Sequence, residues 1–96
     1  MPNYKLSFLA ELDLFDIAES TIEDWGLKQA KKYALSIDVV LKKLTQHPEL
    51  GLRRSELYKN ARSFPIEKHI IYYCYVDGTV EVARILHQKM DPTVHF

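Results

Sequence analysis

The most constraining stretch of this chain is "KHIIYYCYVDGTVEVARILH", Lys68–His87. Its first half is β-branched and aromatic, the composition of a pleated strand packed on its neighbours. Asp77-Gly78 follows, and a type I′ turn needs positive φ at both central positions, a demand this pair meets. The chain therefore reverses in two residues and returns antiparallel as "TVEVARILH". With Val76 opposite Thr79, the register sets Tyr75 against Val80, Tyr73 against Val82, Ile71 against Arg84 and His69 against Leu86. The opposite face then holds Ile70, Tyr72, Cys74, Ala83, Ile85 and His87. Strand side chains alternate between faces, so this register separates His69 and Arg84 from His87. Both faces are largely apolar, and both need a cover.

The first half of the chain offers a helical hairpin as that cover. From about Leu9 to Trp25, residues Ala10, Leu14, Ile17, Ala18, Thr21 and Trp25 recur with the helical period. Asp13, Asp16, Glu19, Glu23 and Asp24 occupy the far side, while Leu12 and Phe15 lie off the stripe. Gly26 stops the helix. A second helix over Leu27–Gln46 has the stripe Ala30, Tyr33, Ala34, Ile37, Leu41 and Leu44. Its outer face carries Lys28, Lys31, Lys32, Lys42 and Lys43, interrupted by Leu35 and Val39. "HPELG" ends it. "YKLSF" (Tyr4–Phe8) alternates as a strand does, and Ser7 is placed to cap the first helix. "ARSFPI" (Ala61–Ile66) reads as one more strand. The expected fold is α+β, ordered β-α-α-β-β-β, with the hairpin packed on a mostly antiparallel four-stranded sheet. Two helices cover one face of such a sheet. The second face is then an exposed apolar surface of the kind that marks a binding site, unless loop 52–60 and the C-terminal tail cover it.

With 96 residues the chain makes a single domain with one modest core. Lys plus Arg and Asp plus Glu number 13 each, which argues against generic nucleic-acid or membrane binding. The balance is uneven along the chain. Residues 1–30 carry two Lys against six acids, and residues 31–62 carry eight basic groups against three acids. An acidic first third and a basic middle either neutralise each other or serve a partner. The one cysteine, Cys74, excludes an internal disulfide and a Cys-cluster zinc site. No apolar run approaches the roughly 20 residues that span a bilayer, and the N-terminus lacks a signal-peptide core, so a cytoplasmic protein is expected.

Catalytic chemistry finds little support. His47, His69, His87 and His95 show no metal-ligand spacing. There is no nucleophile-elbow pattern, and Gly26, Gly51 and Gly78 are each explained by a cap or turn, leaving no phosphate cradle and no cofactor site. Ribonuclease chemistry would need a base, an acid and cations for the scissile phosphate. Arg62, Arg84, His69 and His87 supply the residue types, but the alternation above keeps them from converging.

Several stretches together resemble the ParE toxins of bacterial toxin–antitoxin pairs. They are Ala10, Asp13, Leu14 and Ile17; "WGLKQAKKY" (Trp25–Tyr33); Leu44, Pro48, Leu50 and Gly51; "ARSFPI" followed by "KHIIYY"; and "RILHQKMD". They occur in the family's order over nearly the whole chain. The resemblance implies a toxin of the RelE/ParE superfold that poisons DNA gyrase by binding, without catalysis. It also implies neutralisation by a cognate ParD-like antitoxin, in a hetero-oligomer. Arg62, Arg84, His87, Lys89 and Asp91 are the expected inhibitory surface. Leu12, Phe15, Leu35 and Val39, with Lys28, Lys31, Lys32 and Lys42 beside them, are the expected antitoxin contacts, apolar anchors flanked by charge that suits an acidic peptide. The superfold's mRNA-cleaving branch, which includes RelE and YoeB, is the main alternative. Against it, His69 stands where that branch places an arginine, and "DPTVHF" lacks its terminal tyrosine. An inactive toxin-fold interaction protein is the third reading.

Overall fold

The computed structural model describes residues 3–96. A mixed five-stranded sheet, ordered β1-β5-β4-β3-β2, carries an antiparallel helical hairpin on one face. The strands are β1 (Asn3–Leu6), β2 (Leu52–Arg53), β3 (Arg62–Ile66), β4 (His69–Val76) and β5 (Thr79–His87), and the helices are α1 (Phe8–Trp25) and α2 (Leu27–Gln46). β1 joins β5 in parallel, and every other pairing is antiparallel. The expected four strands thus become five. The added β2 is two residues long, too short to show any periodicity in the sequence.

Ser7 caps α1 as expected, its Oγ accepting from the Ala10 amide at 3.0 Å. The hairpin core joins Ile17, Tyr33, Ile37, Leu41 and Leu44 to Ile71, Tyr73, Val80, Val82 and Ile85 of the central strands. Trp25 departs from its expected place in the α1 stripe: it is 68% exposed. The Asp77-Gly78 turn has φ of 49° and 79°, as its residue types require.

The β4–β5 register holds as far as Tyr73↔Val82 and then slips. Ala83 is an extra residue on β5, a β-bulge, so that Tyr72 faces Arg84, Ile71 faces Ile85, Ile70 faces Leu86 and His69 faces His87. The pairings Ile71–Arg84 and His69–Leu86 are therefore corrected. Beyond Leu6 the β5 edge has lost its β1 neighbour, and α1 closes it. Ser7 Oγ donates to the bulged Ala83 carbonyl at 2.7 Å, and the Ile85 amide donates to the Asp13 carboxylate at 3.0 Å.

The second sheet face is not left open. Tyr72 and Leu86 are buried. The Phe96 ring lies 5.5 Å from Tyr72 and 5.3 Å from Tyr58, and the Arg54 guanidinium sits 5.7 Å over the Tyr72 ring. The expectation of an uncovered sheet is overturned, because the segment around Arg54–Tyr58 and the tail's last residue seal it. Most of the exposed large apolar side chains lie on the helices instead.

Candidate functional site and relationship to known proteins

Two regions concentrate unusual side chains. The first is the end of the sheet where β4 begins and β5 finishes. The bulge makes His69 and His87 cross-strand neighbours, with ring centroids 5.4 Å apart and edge to face. The Tyr33 hydroxyl lies 2.7 Å from His69 Nδ1 and 3.0 Å from the Ile66 carbonyl. A hydroxyl has one proton and the carbonyl can only accept, so both contacts are satisfied when Tyr33 donates to Ile66 and His69 Nδ1–H donates to Tyr33. That tautomer leaves His69 Nε2 as an acceptor. On His87 the Lys89 amide donates to Nδ1 at 3.1 Å, which leaves the proton of the neutral ring on Nε2. Burial pushes the His69 pKa down, helped by the charges of His87 and Lys68. Burial, with Glu67 nearby, pushes the Tyr33 phenol up to about 12.

A cleft of about 450 Å³ runs between this pair and α1. Arg84, Lys68, His69 and His87 line one side, and Asp13, Asp16 and Asp24 line the other. Arg84 is not a free cation there. Its Nε and Nη2 each donate to the Asp13 carboxylate at 2.8 Å, and the pair is nearly buried, with side chains 15% and 12% exposed. Asp13 was expected on the solvent side of α1. At the cleft mouth Lys68 Nζ lies 5.7 Å over the Trp25 ring.

The five residues expected to form an inhibitory surface are not brought onto one patch. Arg84 and His87 share the cleft. Arg62 faces Tyr73 across the β3–β4 pairing, and its Nη1 donates to the Gly51 and Glu49 carbonyls at 2.8 and 3.2 Å, bracing the turn after α2. Lys89 is exposed. Asp91 accepts from the Thr93 amide and hydroxyl at 2.9 and 2.7 Å, capping a short C-terminal turn, and these bonds hold its carboxyl below the usual range. Sequence reasoning missed Tyr33, Lys68 and Trp25 as neighbours of this site. Tyr33 looked like any other member of a core stripe, and only the fold sets it beside His69.

The second region is the outer face of the hairpin. Leu12, Phe15, Leu35 and Val39 are all exposed, Phe15 by 62%, Leu35 by 67% and Val39 by 64%. Phe8 and Ile22, not singled out from the sequence, are exposed on the same helix. Phe8, Leu12, Phe15 and Ile22 fall at spacings of four, three and seven, one side of α1. Lys28, Lys31, Lys32 and Lys42 are exposed beside Leu35 and Val39 on α2. Among the described residues, no cluster of three or more His, Cys, Asp or Glu is placed to hold a metal ion. No helix there is long and apolar enough to cross a membrane.

Comparison with known proteins accounts for this architecture. Residues 4–92 match the family model described as ParE toxin of type II toxin-antitoxin system, parDE. The Toxin ParE1 of Caulobacter vibrioides is 33% identical over 95 residues, covering 99% of this chain and 98% of that protein. The Toxin ParE1 of Mycobacterium tuberculosis is 30% identical over 89 residues, covering 92% of this chain and 91% of the relative. A solved chain of the chromosomal ParDE TA system from P. aeruginosa shares the fold, with a TM-score of 0.76 at 21% identity over 91% of this chain and 96% of that one. The chain belongs to the ParE toxin family of type II toxin–antitoxin systems.

Proposed function

We propose that this chain arrests growth by binding DNA gyrase and trapping one of its states, with no bond chemistry of its own, and that a ParD-like antitoxin neutralises it by covering the helical hairpin. The observation that carries the reading is its place in the ParE toxin family across residues 4–92. The charge arrangement of the cleft supports a gripping rather than a cutting role. Asp13, Asp16 and Asp24 outnumber the fixed cations Lys68 and Arg84, and Arg84 is already neutralised by Asp13. A scissile phosphate would meet net negative charge there. For the antitoxin, exposed apolar anchors set among lysines offer a helix or extended segment of acidic character both burial and charge complementarity.

One observation favours the ribonuclease alternative. The bulge sets His69 and His87 side by side, with complementary Nε2 atoms, one accepting and one carrying a proton. Induced expression separates the readings when DNA supercoiling, gyrase cleavage complexes and mRNA integrity are followed together. Inhibited supercoiling with intact mRNA is the expected result. Cleaved mRNA with normal supercoiling, abolished by His69→Ala or His87→Ala, would overturn the gyrase reading.

A further inference from the structure

The outward faces of the two helices match each other in spacing and oppose each other in charge. On α1 the exposed positions Phe8, Leu12, Phe15, Glu19 and Ile22 step by four, three, four and three residues. This is the heptad alternation that lays a straight seam along a helix. On α2 the exposed positions Lys28, Lys32, Leu35, Val39 and Lys42 step by the same four, three, four and three. α1 carries six acids and no Lys or Arg, whereas α2 carries five lysines and one acid.

We propose that two copies of this chain pair through these faces, α1 of each lying antiparallel on α2 of the other, to form a four-helix bundle with a sheet on either side. The geometry follows from symmetry. A two-fold axis parallel to the helices, running between them, keeps each helix's direction and exchanges left for right. It therefore sets α1 over α2 of the second copy, and because α1 and α2 are antiparallel within the hairpin, the stacked helices are antiparallel too. Aligned this way, Leu12 meets Val39 and Phe15 meets Leu35 of the second copy, while Glu19 meets Lys32. At the ends, the lysine stems of Lys42 and Lys28 cover Phe8 and Ile22.

Charge decides between this arrangement and its competitor. The other isologous packing would stack α1 on α1 and α2 on α2, placing acid against acid and lysine against lysine. A nucleic acid on this face would meet the exposed carboxylates of Glu11, Glu19 and Glu23 on α1. The whole chain has zero formal net charge, so two copies approach without long-range repulsion. The inference does not rest on the gyrase or antitoxin readings. The pair would hide the surface assigned above to the antitoxin, so the two associations exclude each other.

The test is sedimentation equilibrium of the full chain without antitoxin, from nanomolar to about 100 μM. A reversible monomer–dimer equilibrium is expected. Phe15→Glu should weaken it at least about tenfold, with unchanged circular dichroism because the site is exposed. Glu19→Lys should weaken it and Glu19→Lys with Lys32→Glu should restore it, since each contact occurs across the two-fold axis. A chain that stays monomeric at 100 μM would overturn the proposal and leave the face to a different protein. A dimer indifferent to Phe15→Glu, or single charge reversals not rescued by the double, would overturn it as well. Antitoxin affinity, measured separately at nanomolar toxin, shows whether the neutralisation reading fails independently.

Discussion

Asp13 does three jobs with one carboxylate. It accepts from Arg84 Nε and Nη2 and from the Ile85 amide, tying the first turns of α1 to a strand edge that has no neighbouring strand there. Asp13→Ala leaves a nearly buried guanidinium and a strand amide without acceptors. It should cost about 3–5 kcal/mol, the scale of breaking a buried pair from one side, read from the urea midpoint. Asp13→Asn should cost less, since the amide oxygen can still accept one bond. His69 gives a pH-dependent counterpart. Its folded-state pKa lies below the ordinary 6.5, mainly through burial, so the unfolded chain takes up the proton first. Stability from this group is complete above 6.5 and declines as pH falls through that value toward the lower folded one. The wild-type urea midpoint should therefore drop between pH 7.5 and 5, and His69→Gln should drop less over the same window.

At the scale of elements, the connection from α2 into the sheet is fixed by one close approach. Gly51 lies under Tyr73, whose hydroxyl accepts from the Gly51 amide at 2.9 Å and donates to the Pro48 carbonyl at 2.7 Å. A Cβ on Gly51 would stand 2.5 Å from the Tyr73 hydroxyl oxygen and 2.9 Å from the Ser63 carbonyl. Its φ of −72° is ordinary, so space and not backbone freedom demands glycine. Because Tyr73 is fully buried and cannot swing aside, Gly51→Ala should destabilise by about 1–3 kcal/mol in urea denaturation. On the hairpin the expectation is the reverse, with little stability at stake and binding affected. Leu35→Glu or Val39→Glu should leave the circular dichroism spectrum and melting temperature nearly unchanged. Either should weaken antitoxin binding at nanomolar toxin by at least about 1–2 kcal/mol, the scale of an interface anchor. Unchanged affinity would move the antitoxin contact off this face.

On the scale of the whole molecule, the tail completes the fold. Phe96 bridges Tyr58 and Tyr72 over the sheet face that the helices do not reach. Phe96→Ala should cost about 1–2 kcal/mol, less than a core phenylalanine because the residue is 42% exposed, and should raise binding of a hydrophobic dye. The hairpin of β4 and β5, the two helices and the Ser7 cap were legible because each rests on local signals: period two, period 3.6, a turn dipeptide and a capping hydroxyl. The outward Leu12, Phe15, Leu35 and Val39 were legible for the same reason, as residues that break their helix's stripe. The bulge at Ala83, the His69–His87 contact that follows from it and the pairing of Asp13 with Arg84 across 71 positions were not, and the sequence left open whether loop 52–60 and the tail cover the second face. Such features arise from segments far apart in the chain, and a periodic pattern carries no information about where a register slips or which distant side chain satisfies a strand edge. The sequence by itself determined the longer elements and the hairpin's outward apolar residues. Only the tertiary structure decided that the Arg54–Tyr58 segment and Phe96 cover the sheet's second face, while the outer faces of the helices stay apolar and exposed.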